Sequence, residues 1–387
     1  MCSFNFFLFL TKKQNLDFDD IRPYYDNEYQ SVIKKLVEVD QLMNALQSYL
    51  PEITLAEIKE LLLSFKSIGE FQSKMVCRVI QSLIDTSTEG FTYDGFQRLD
   101  KHTPYVLITN HRDIVSDSAL VNYCLNKNDY DTCEIAIGSN LLAKPWIKDL
   151  VRINKSFIVK RNIPKQEILE ASKYLSTYIN HTLKEKKQSI WIAQREGRAK
   201  DGYDKTNPGV LKMLGLSIND NLLNHLISLN ITPVSISYEL DPCDALKIPE
   251  LLNKSEGKEY VKKEGEDEIS MILGVQGKKG HVHVQFGIPI NEEIKKFSHI
   301  TNRNELLKNI AEVIDREIYT NYRLWNSNYV AYDLLNNSTK YSASYTTESK
   351  QQFIDYMNKK LTNFSGNEKA KQLFLQMYAN PLINFES

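Results

Sequence analysis

The sequence predicts an α/β fold in which a central mixed sheet is flanked by helices, with helical segments added at both ends. Three observations predict this arrangement. Between about residues 91 and 290, short apolar runs alternate with helical segments. Before this stretch, and again after Pro289, apolar residues recur with the period of an amphipathic helix. The predicted domains are an apolar tail at 1–15, a helical domain at 16–90, an α/β catalytic domain at 91–292 and a C-terminal helical extension at 293–387.

One helix of the predicted N-terminal helical domain has a recognisable N-terminal capping signal. Thr54 and Glu57 form a capping-box pattern ahead of the periodic apolar residues that follow. In the α/β part, Gly, Pro, Asn or charged residues bound six predicted strands, at 105–109, 134–137, 156–160, 189–193, 231–238 and 281–286. Residues 164–187 fit a crossover helix that a proline opens, and residues 305–325 fit a helix of the extension.

The composition indicates a folded chain without a dedicated nucleic-acid surface. The 387 residues are 42% hydrophobic, and 48 Lys and Arg stand against 49 Asp and Glu. A protein that neutralises nucleic-acid phosphates needs a basic surplus or a concentrated basic stripe. The five cysteines have no CxxC spacing, so neither a zinc cluster nor a disulfide framework is indicated, and a reducing, cytoplasmic setting is expected.

The apolar run at residues 2–10 is about half of the ~20 residues that a spanning helix needs. Lys12 and Lys13 follow the run instead of preceding it, which argues against a cleaved signal peptide. We therefore expect any membrane contact to be peripheral. A second segment suited to such contact is the short basic stretch at 144–152, which contains one tryptophan, although an ordinary surface helix fits it equally.

The segment from Asn110 to Asp117 is the first candidate for catalysis. His111 directly follows the strand predicted at 105–109, and strand ends are where α/β proteins place reactive groups. An imidazole there can remove a proton from a hydroxyl if a carboxylate fixes its tautomer. Asp113 and Asp117 are both close enough in sequence to be that carboxylate. A polar loop or a helix cap would also explain these residues.

Other chemistries lack their motifs. The His-Arg-Asp triplet of a protein kinase expects an Asn five residues after the Asp, but Ser118 stands there, and neither Asp-Phe-Gly nor GxGxxG occurs. A serine hydrolase of the GxSxG type would lack its nucleophile. His281 and His283 would share one face of a strand, but two ligands are too few for a metal site, so ordinary strand residues are expected.

Two basic clusters also accompany predicted strands. The first surrounds the strand at 156–160 and comprises Arg152, Lys155, Lys160 and Arg161. The second lies in the loop after the strand at 189–193 and comprises Arg198 and Lys200. Either cluster could hold a phosphate, although a solvated strand end or a charged turn would explain each alone. Because both clusters accompany core strands, we expect them to converge with His111 on one cleft.

Four sequence blocks, in a fixed order, resemble the glycerol-3-phosphate and 1-acylglycerol-3-phosphate O-acyltransferase superfamily. The likeness is greatest to the branch with glycerol-3-phosphate and dihydroxyacetone-phosphate acyltransferases. The blocks are Asn110-His111 with a downstream Asp, the stretch from Ile135 to Arg161, Glu196-Gly197-Arg198, and the stretch from Thr232-Pro233-Val234 through Tyr238 to Glu239. The segment Phe286-Gly-Ile-Pro-Ile290 also resembles the family's late strand. Together they cover about residues 91–290, roughly half of the 387.

The resemblance implies an O-acyltransferase of phospholipid biosynthesis that is cytoplasmic and peripherally membrane-associated. His111 would deprotonate the acceptor hydroxyl, which attacks the thioester of acyl-CoA or acyl-carrier protein, while an aspartate holds the imidazole. The acceptor would be glycerol 3-phosphate, dihydroxyacetone phosphate or lysophosphatidic acid. Residues implied to bind substrate are Arg161, Lys160, Glu196, Gly197, Arg198 and Pro233. No metal or prosthetic group is required.

Two departures from the family pattern leave alternatives open. Asp117 is six residues after His111, where the family has five, so the loop must absorb one residue or Asp113 is the partner. One residue separates Glu196 from Arg198, where the family has two. The alternatives are an acyltransferase acting on a non-phosphate hydroxylated or amino-acid lipid, and a catalytically inactive membrane-surface scaffold of the same fold.

Overall fold

The computed structural model describes residues 17–218 and 221–387, and the predicted tail at 1–15 lies outside the described residues. The described chain contains one seven-stranded mixed sheet flanked by helices, which confirms the predicted fold class. In these residues, no helix combines the length and the apolar character that crossing a bilayer would require.

In the described residues, five α-helices precede the sheet. They are α1 (Tyr29–Leu36), α2 (Asp40–Tyr49), α3 (Leu55–Ser64), α4 (Ile68–Phe71) and α5 (Cys77–Ser87). The capping box forms as predicted: Thr54 Oγ1 accepts from the Glu57 amide, and the Glu57 carboxylate accepts from the Thr54 amide at 2.7 Å. The apolar faces of α1 to α4 share one buried core with Ile153 from a later helix, whereas α5 packs against the sheet. The helical segment is therefore packed against the α/β part.

The sheet has the strand order β1-β7-β6-β2-β5-β3-β4. Its strands are β1 (Gly90–Asp94), β2 (Val106–Thr109), β3 (Glu134–Gly138), β4 (Ser156–Val159), β5 (Ile190–Ala193), β6 (Ile231–Tyr238) and β7 (His281–Phe286). All pairs are parallel except β6 with β7. The six predicted strands are present, with ends shifted by at most one residue. The seventh, β1, was not predicted, because it is a partly exposed edge strand without a continuous apolar run.

Further helices alternate with or follow the strands, and some of them cover the two faces of the sheet. They are α6 (Ser116–Lys127), α7 (Pro145–Ile153), α8 (Ile168–Lys184), α9 (Pro208–Leu214), α10 (Leu222–Ser228), α11 (Asp244–Ser255), α12 (Glu266–Gln276) and α13 (Asn291–Lys295). In strand β2, successive side chains point to opposite faces of the sheet. Val106 and Ile108 join a buried cluster with α8, whereas Leu107 joins the cluster on the other face with α5 and α6. Burial on both faces explains why the central strands read as short, almost uniformly apolar runs.

The direction of the strands determines where the site lies. Strands β2 to β6 run parallel, so their carboxyl ends meet at one edge of the sheet. His111 follows β2, Arg161 follows β4, and the loop with Arg198 follows β5. The expected convergence of these segments is therefore a consequence of the sheet topology.

The C-terminal extension packs on the same edge. Its helices are α14 (Arg303–Thr320), α15 (Asn326–Asn336), α16 (Thr347–Lys360) and α17 (Glu368–Phe385). Helices α15, α16 and α17 share a buried core with Ile248 and Leu251 of α11, whereas the apolar face of α14 packs in the core that contains Ile108 of β2. Asn380 on α17 donates to the carbonyl of Asp201 at 2.6 Å. At Gly202, a Cβ atom would stand 2.2 Å from the carbonyl oxygen of Met377. The extension thus touches the backbone of the loop that follows β5.

Replacing Gly202 tests that close contact. Gly202→Ala places a side chain at φ +74° and against the α17 backbone, so it should lower the free energy of unfolding by about 2–4 kcal/mol. Gly257 is the matched control, because its φ is +69° with no atom within 4 Å of a built Cβ. Gly257→Ala should cost only the backbone strain, about 1–2 kcal/mol. Urea unfolding measures both, and equal losses would contradict the contact.

Candidate active site

The structure brings His111 to Asp117. The imidazole Nδ1 is 2.8 Å from Oδ2 of Asp117, whose side chain is fully buried, while that of His111 is 13% exposed. Helix α6 begins at Ser116, so His111 lies in a non-helical loop ahead of it. The extra residue in the spacing is absorbed there, and the angular argument for a regular helix does not apply.

The carboxylate of Asp117 accepts four hydrogen bonds. Besides the His111 bond, Oδ2 accepts from the backbone amides of Arg112 at 2.7 Å and Asp113 at 3.0 Å. The hydroxyl of Tyr238 donates to Oδ1 at 2.7 Å. A carboxylate oxygen facing Nδ1 favours the imidazole tautomer that carries its proton on Nδ1. The Nε2 lone pair is then left to accept a proton, as in the Ser-His-Asp arrangement.

Asp113 has a different place in the structure. Its Oδ1 accepts from the amides of Val115 at 3.0 Å and Ser116 at 2.6 Å, which caps the start of α6. Its Oδ2 is buried without a hydrogen-bond partner among the described residues and lies against Gly274 of α12. Burial, and secondarily the nearby Asp117 charge, raise the pKa of the Asp113 carboxyl. Of the two predicted aspartates, only Asp117 bonds to the imidazole.

The loop after β5 joins the histidine to the predicted phosphate site. The amide of Ala199 donates to the carbonyl of His111 at 2.8 Å. Its neighbour Arg198 is 8% exposed, and within residues 17–218 and 221–387 its Nη1 has no hydrogen-bond partner. Gly197 adopts φ +70°, which only glycine adopts readily. Two residues before Arg198, the exposed carboxylate of Glu196 pairs with Arg161 Nη1 at 2.7 Å.

The remaining cations of the predicted clusters bind elsewhere. Lys160 and Arg161 are consecutive residues after β4, but they pair with different carboxylates. Lys160 Nζ pairs with Asp20 Oδ2 at 2.6 Å. This contact separates Lys160 from the loop that binds Arg161. The others are bound as follows: Arg152 donates to the carbonyls of Arg22 and Asp19, Lys155 to that of Thr132, and Lys200 to the Glu250 carboxylate. Of the cations that were expected to surround one cleft, only Arg161 and Arg198 are therefore still candidates.

Pro233 lies inside the sheet. It is buried in β6, opposite Ile108 of β2, and its carbonyl accepts from the amide of Gly287 at 2.9 Å. Ile108 is three residues before His111, so Pro233 lies below the strand ends that carry the other predicted residues. The structure therefore does not bring Pro233 into contact with the histidine pair.

A buried polar network that the sequence analysis missed anchors the histidine loop. Arg112 donates to Asp204 Oδ2 at 2.7 Å, and the hydroxyl of Tyr322 donates to the same oxygen at 2.5 Å. The side chain of Asn110 bonds both the amide and the carbonyl of Ile236 in β6, at 2.8 and 2.9 Å. No sequence pattern indicates these partners, because they are about 90 to 210 residues apart.

One group among the described residues offers three metal donors. Glu89, Glu239 and His281 each place one donor atom within 4.8 Å of the others. His281 Nδ1 is hydrogen-bonded to Glu239 at 2.6 Å, and the group is mostly exposed to solvent. His283, the other histidine of this strand, bonds Thr92 Oγ1 at 2.8 Å. Neither histidine contacts the His111–Asp117 pair.

Part of the chain matches a known protein family. Residues 90–237 match the sequence model of the family described as Acyltransferase. These residues form an acyltransferase domain. The match includes His111, Asp117, Arg161 and Arg198, and it supports the broad family resemblance drawn from the four blocks. The protein is thus an acyltransferase, and its extension lies outside the match.

Two further comparisons concern whole proteins. A search of curated proteins found no match. Among solved structures, the acyltransferase is similar to the crystal structure of the 1-acyl-sn-glycerophosphate (LPA) acyltransferase, PlsC, from Thermotoga maritima. The identity is 14% and the TM-score 0.37, with 78% of this chain and 96% of that chain covered.

The two aspartates can be separated by matched substitutions. Asp117→Asn should lower kcat of the acyltransferase by ~10²–10⁴, because the amide no longer favours the tautomer with a basic Nε2. Asp113→Asn should keep kcat within about 3-fold, since the amide oxygen can still cap α6. Similar losses of kcat in both variants would contradict the different places of the two carboxylates.

Asp113→Asn should also change how stability depends on pH. A carboxyl with a raised pKa binds its proton more tightly when folded, so its contribution is present at low pH and is lost as pH rises through the folded-state pKa. The free energy of unfolding of the variant minus that of the wild type should therefore increase as pH increases. Urea unfolding between pH 4 and about 8 measures the difference, and a constant difference would contradict the raised pKa.

Proposed function

We propose that this acyltransferase moves a fatty acyl group from acyl-CoA or acyl-carrier protein to the hydroxyl of a glycerol phosphate-type acceptor in phospholipid biosynthesis. The acceptors proposed are glycerol 3-phosphate, dihydroxyacetone phosphate and lysophosphatidic acid. The observation that carries the proposal is the buried Nη1 of Arg198, which has no hydrogen-bond partner among the described residues and lies one residue from the amide that bonds the His111 carbonyl.

The proton transfers follow from the hydrogen bonds of the histidine. His111 Nε2 removes the proton of the acceptor hydroxyl, and the oxygen attacks the thioester carbonyl. Asp117 stabilises the imidazolium that forms, through the 2.8 Å bond to Nδ1. The tetrahedral intermediate collapses as the C–S bond breaks, and the imidazolium returns the proton to the leaving thiolate. The products are the acyl ester and the free thiol, and the histidine is regenerated.

Arg198 is suited to the acceptor phosphate by its burial. A buried guanidinium without a partner has a large desolvation cost, which an anion bonded to its Nη1 would offset. Arg161 is already paired with the exposed Glu196, so its charge is partly compensated before substrate binds. We therefore assign the main phosphate contact to Arg198 and a secondary one to Arg161. Lys160, paired with Asp20, is not assigned a contact.

Peripheral membrane contact in the cytoplasm remains part of the proposal, because the product is a lipid. The basic segment at 144–152 gives it little support. In α7, Trp146 packs partly buried against the core of the N-terminal helices, and Arg152 is buried. Liposome flotation with Trp146→Ala would decide whether that segment contributes.

The activity can be tested with radiolabelled acyl-CoA and acyl-carrier protein offered to the three phosphate acceptors and to a hydroxylated lipid without phosphate. The proposal expects an acyl ester with at least one phosphate acceptor. His111→Ala should reduce turnover by ~10²–10⁴, the usual contribution of a general base. Folded protein that acylates only the phosphate-free lipid would favour the alternative acceptor. No ester with any acceptor would leave the inactive-scaffold alternative.

The phosphate assignment has a matched pair of substitutions. Arg198→Gln should lower kcat/KM for a phosphate acceptor by roughly 10–100-fold, the effect of losing charge-assisted hydrogen bonds. Lys160→Gln removes a neighbouring cation that faces Asp20, so it should stay within about 2-fold. Steady-state kinetics with glycerol 3-phosphate measures both. Equal effects of the two substitutions would show that general charge, not a specific phosphate contact, matters.

A further inference from the structure

Tyr238 is the last residue of β6 and reaches the carboxylate that orients the histidine. Its hydroxyl donates to Asp117 Oδ1 at 2.7 Å, across 121 residues of sequence. Burial, and then the nearby charges of Asp117 and Asp113, raise the pKa of Tyr238 well above its usual range. The hydroxyl therefore stays protonated and remains a donor at any working pH.

With this bond, both carboxylate oxygens of Asp117 accept hydrogen bonds. Its other oxygen, Oδ2, already accepts from the imidazole and from two backbone amides. Without the Tyr238 hydroxyl, Oδ1 would be a buried acceptor with no partner, and the carboxylate could rotate until the two oxygens shared the remaining donors. Tyr238 thus fixes the plane of the carboxylate, and the plane fixes the orientation of His111.

The C-terminal extension holds the backbone on both sides of Tyr238. Before it, Ser237 Oγ accepts from the amide of Arg323 at 3.0 Å, and the Ser237 carbonyl accepts from Trp325 Nε1 at 3.3 Å. After it, Ser327 Oγ donates to the carbonyl of Glu239 at 2.7 Å. Arg323 and Trp325 lie between α14 and α15, and Ser327 lies in the first turn of α15, so the end of β6 is bonded to the extension at three points.

We propose that Tyr238 is a positioning residue for acyl transfer, and that the C-terminal extension contributes to the site by fixing the strand end that carries it. The family match stops at residue 237, so both parts lie outside the matched domain. Tyr238 acts through Asp117 and does not touch the reacting atoms. The inference rests on the proposed function for its kinetic test, but its geometric content is independent of the acceptor.

Charged groups around Tyr238 could also affect the pH–rate profile. Buried Asp113 lies on the same loop as Asp117. Among the described residues, the other charged groups near Tyr238 are the pairs Asp241–Lys247, Arg112–Asp204 and Glu239–His281, and Arg323, which lines the same pocket as Tyr238. Tyr238→Phe changes none of them. A change in the acid limb of the pH–rate profile therefore reports the lost bond to Asp117.

The kinetic test compares Tyr238→Phe with Tyr178→Phe. Tyr178 is also buried and donates to a carboxylate, Glu134, at the amino end of β3, the opposite edge of the sheet from His111. Tyr238→Phe should lower kcat by roughly 10–100-fold and leave KM within about 3-fold. Its acid limb of kcat/KM should move to higher pH, because a carboxylate that has lost a donor holds the protonated imidazole more strongly. Tyr178→Phe should change neither kcat nor the profile.

A second readout does not need turnover. Proton NMR of the Nδ1 proton between His111 and Asp117 should show a changed resonance in Tyr238→Phe and the wild-type resonance in Tyr178→Phe. A wild-type resonance and pH profile in folded Tyr238→Phe would overturn the positioning role. If wild type forms no ester with any acceptor, the proposed function fails, and the NMR comparison still decides the role of Tyr238.

Ser327→Ala tests the contribution of the extension and serves if Tyr238→Phe does not fold. It leaves Tyr238 in place and removes one bond to the strand end. We expect a kcat loss of about 2–5-fold, with a change in the Nδ1 proton resonance in the same direction. Wild-type kcat and resonance in Ser327→Ala would overturn the part of the proposal that concerns the extension.

Discussion

The buried carboxylate of Asp117 is the constraint on which the geometry of the site depends. An ionised carboxylate away from water is tolerated only when its oxygens accept enough hydrogen bonds. Here two donors are amides of the histidine loop, one is the imidazole and one is a tyrosine on a neighbouring strand. Meeting that requirement fixes the path of the loop from His111 to Asp113, and this path turns Nε2 away from the carboxylate.

The same edge of the sheet serves several structural purposes at once. Parallel strands bring the histidine loop, the loop with Arg198 and the end of β6 together. The C-terminal extension packs over this edge. Helix α17 bonds to Asp201, Trp325 ahead of α15 bonds to Ser237, and Ser327 in α15 bonds to Glu239. Arg112 and Tyr322 meet on the buried Asp204. Because these contacts form one network, the energies of its members are not expected to be additive.

The sequence was sufficient for the fold class and for most of its elements. Apolar runs bounded by turn residues located six strands, and the capping box located the start of α3. The edge strand β1 was not predicted, because its positions are only partly buried and do not form a continuous apolar run. Sequence order also predicted that His111, Arg161 and Arg198 follow strands, and parallel pairing then brings their segments to one edge.

What sequence could not predict depends on local backbone paths and distant partners. The choice between Asp113 and Asp117 is made by which backbone amides face each carboxylate, which spacing does not encode. Lys160 differs from its neighbour Arg161 because successive side chains at a strand end diverge, and Asp20 then captures it. Tyr238 lies in the fourth sequence block, but its role and that of Tyr322 were not predicted, because only tertiary structure brings the two side chains to the histidine loop.

The central claim is that one cleft at the strand ends joins a phosphate site to the basic nitrogen of His111. A crystal structure of the wild-type protein with glycerol 3-phosphate tests it most directly. We expect a phosphate oxygen hydrogen-bonded to Arg198 Nη1 and an acceptor hydroxyl about 2.6–3.2 Å from His111 Nε2. A phosphate bound elsewhere, with Arg198 Nη1 still unpartnered, would contradict the account.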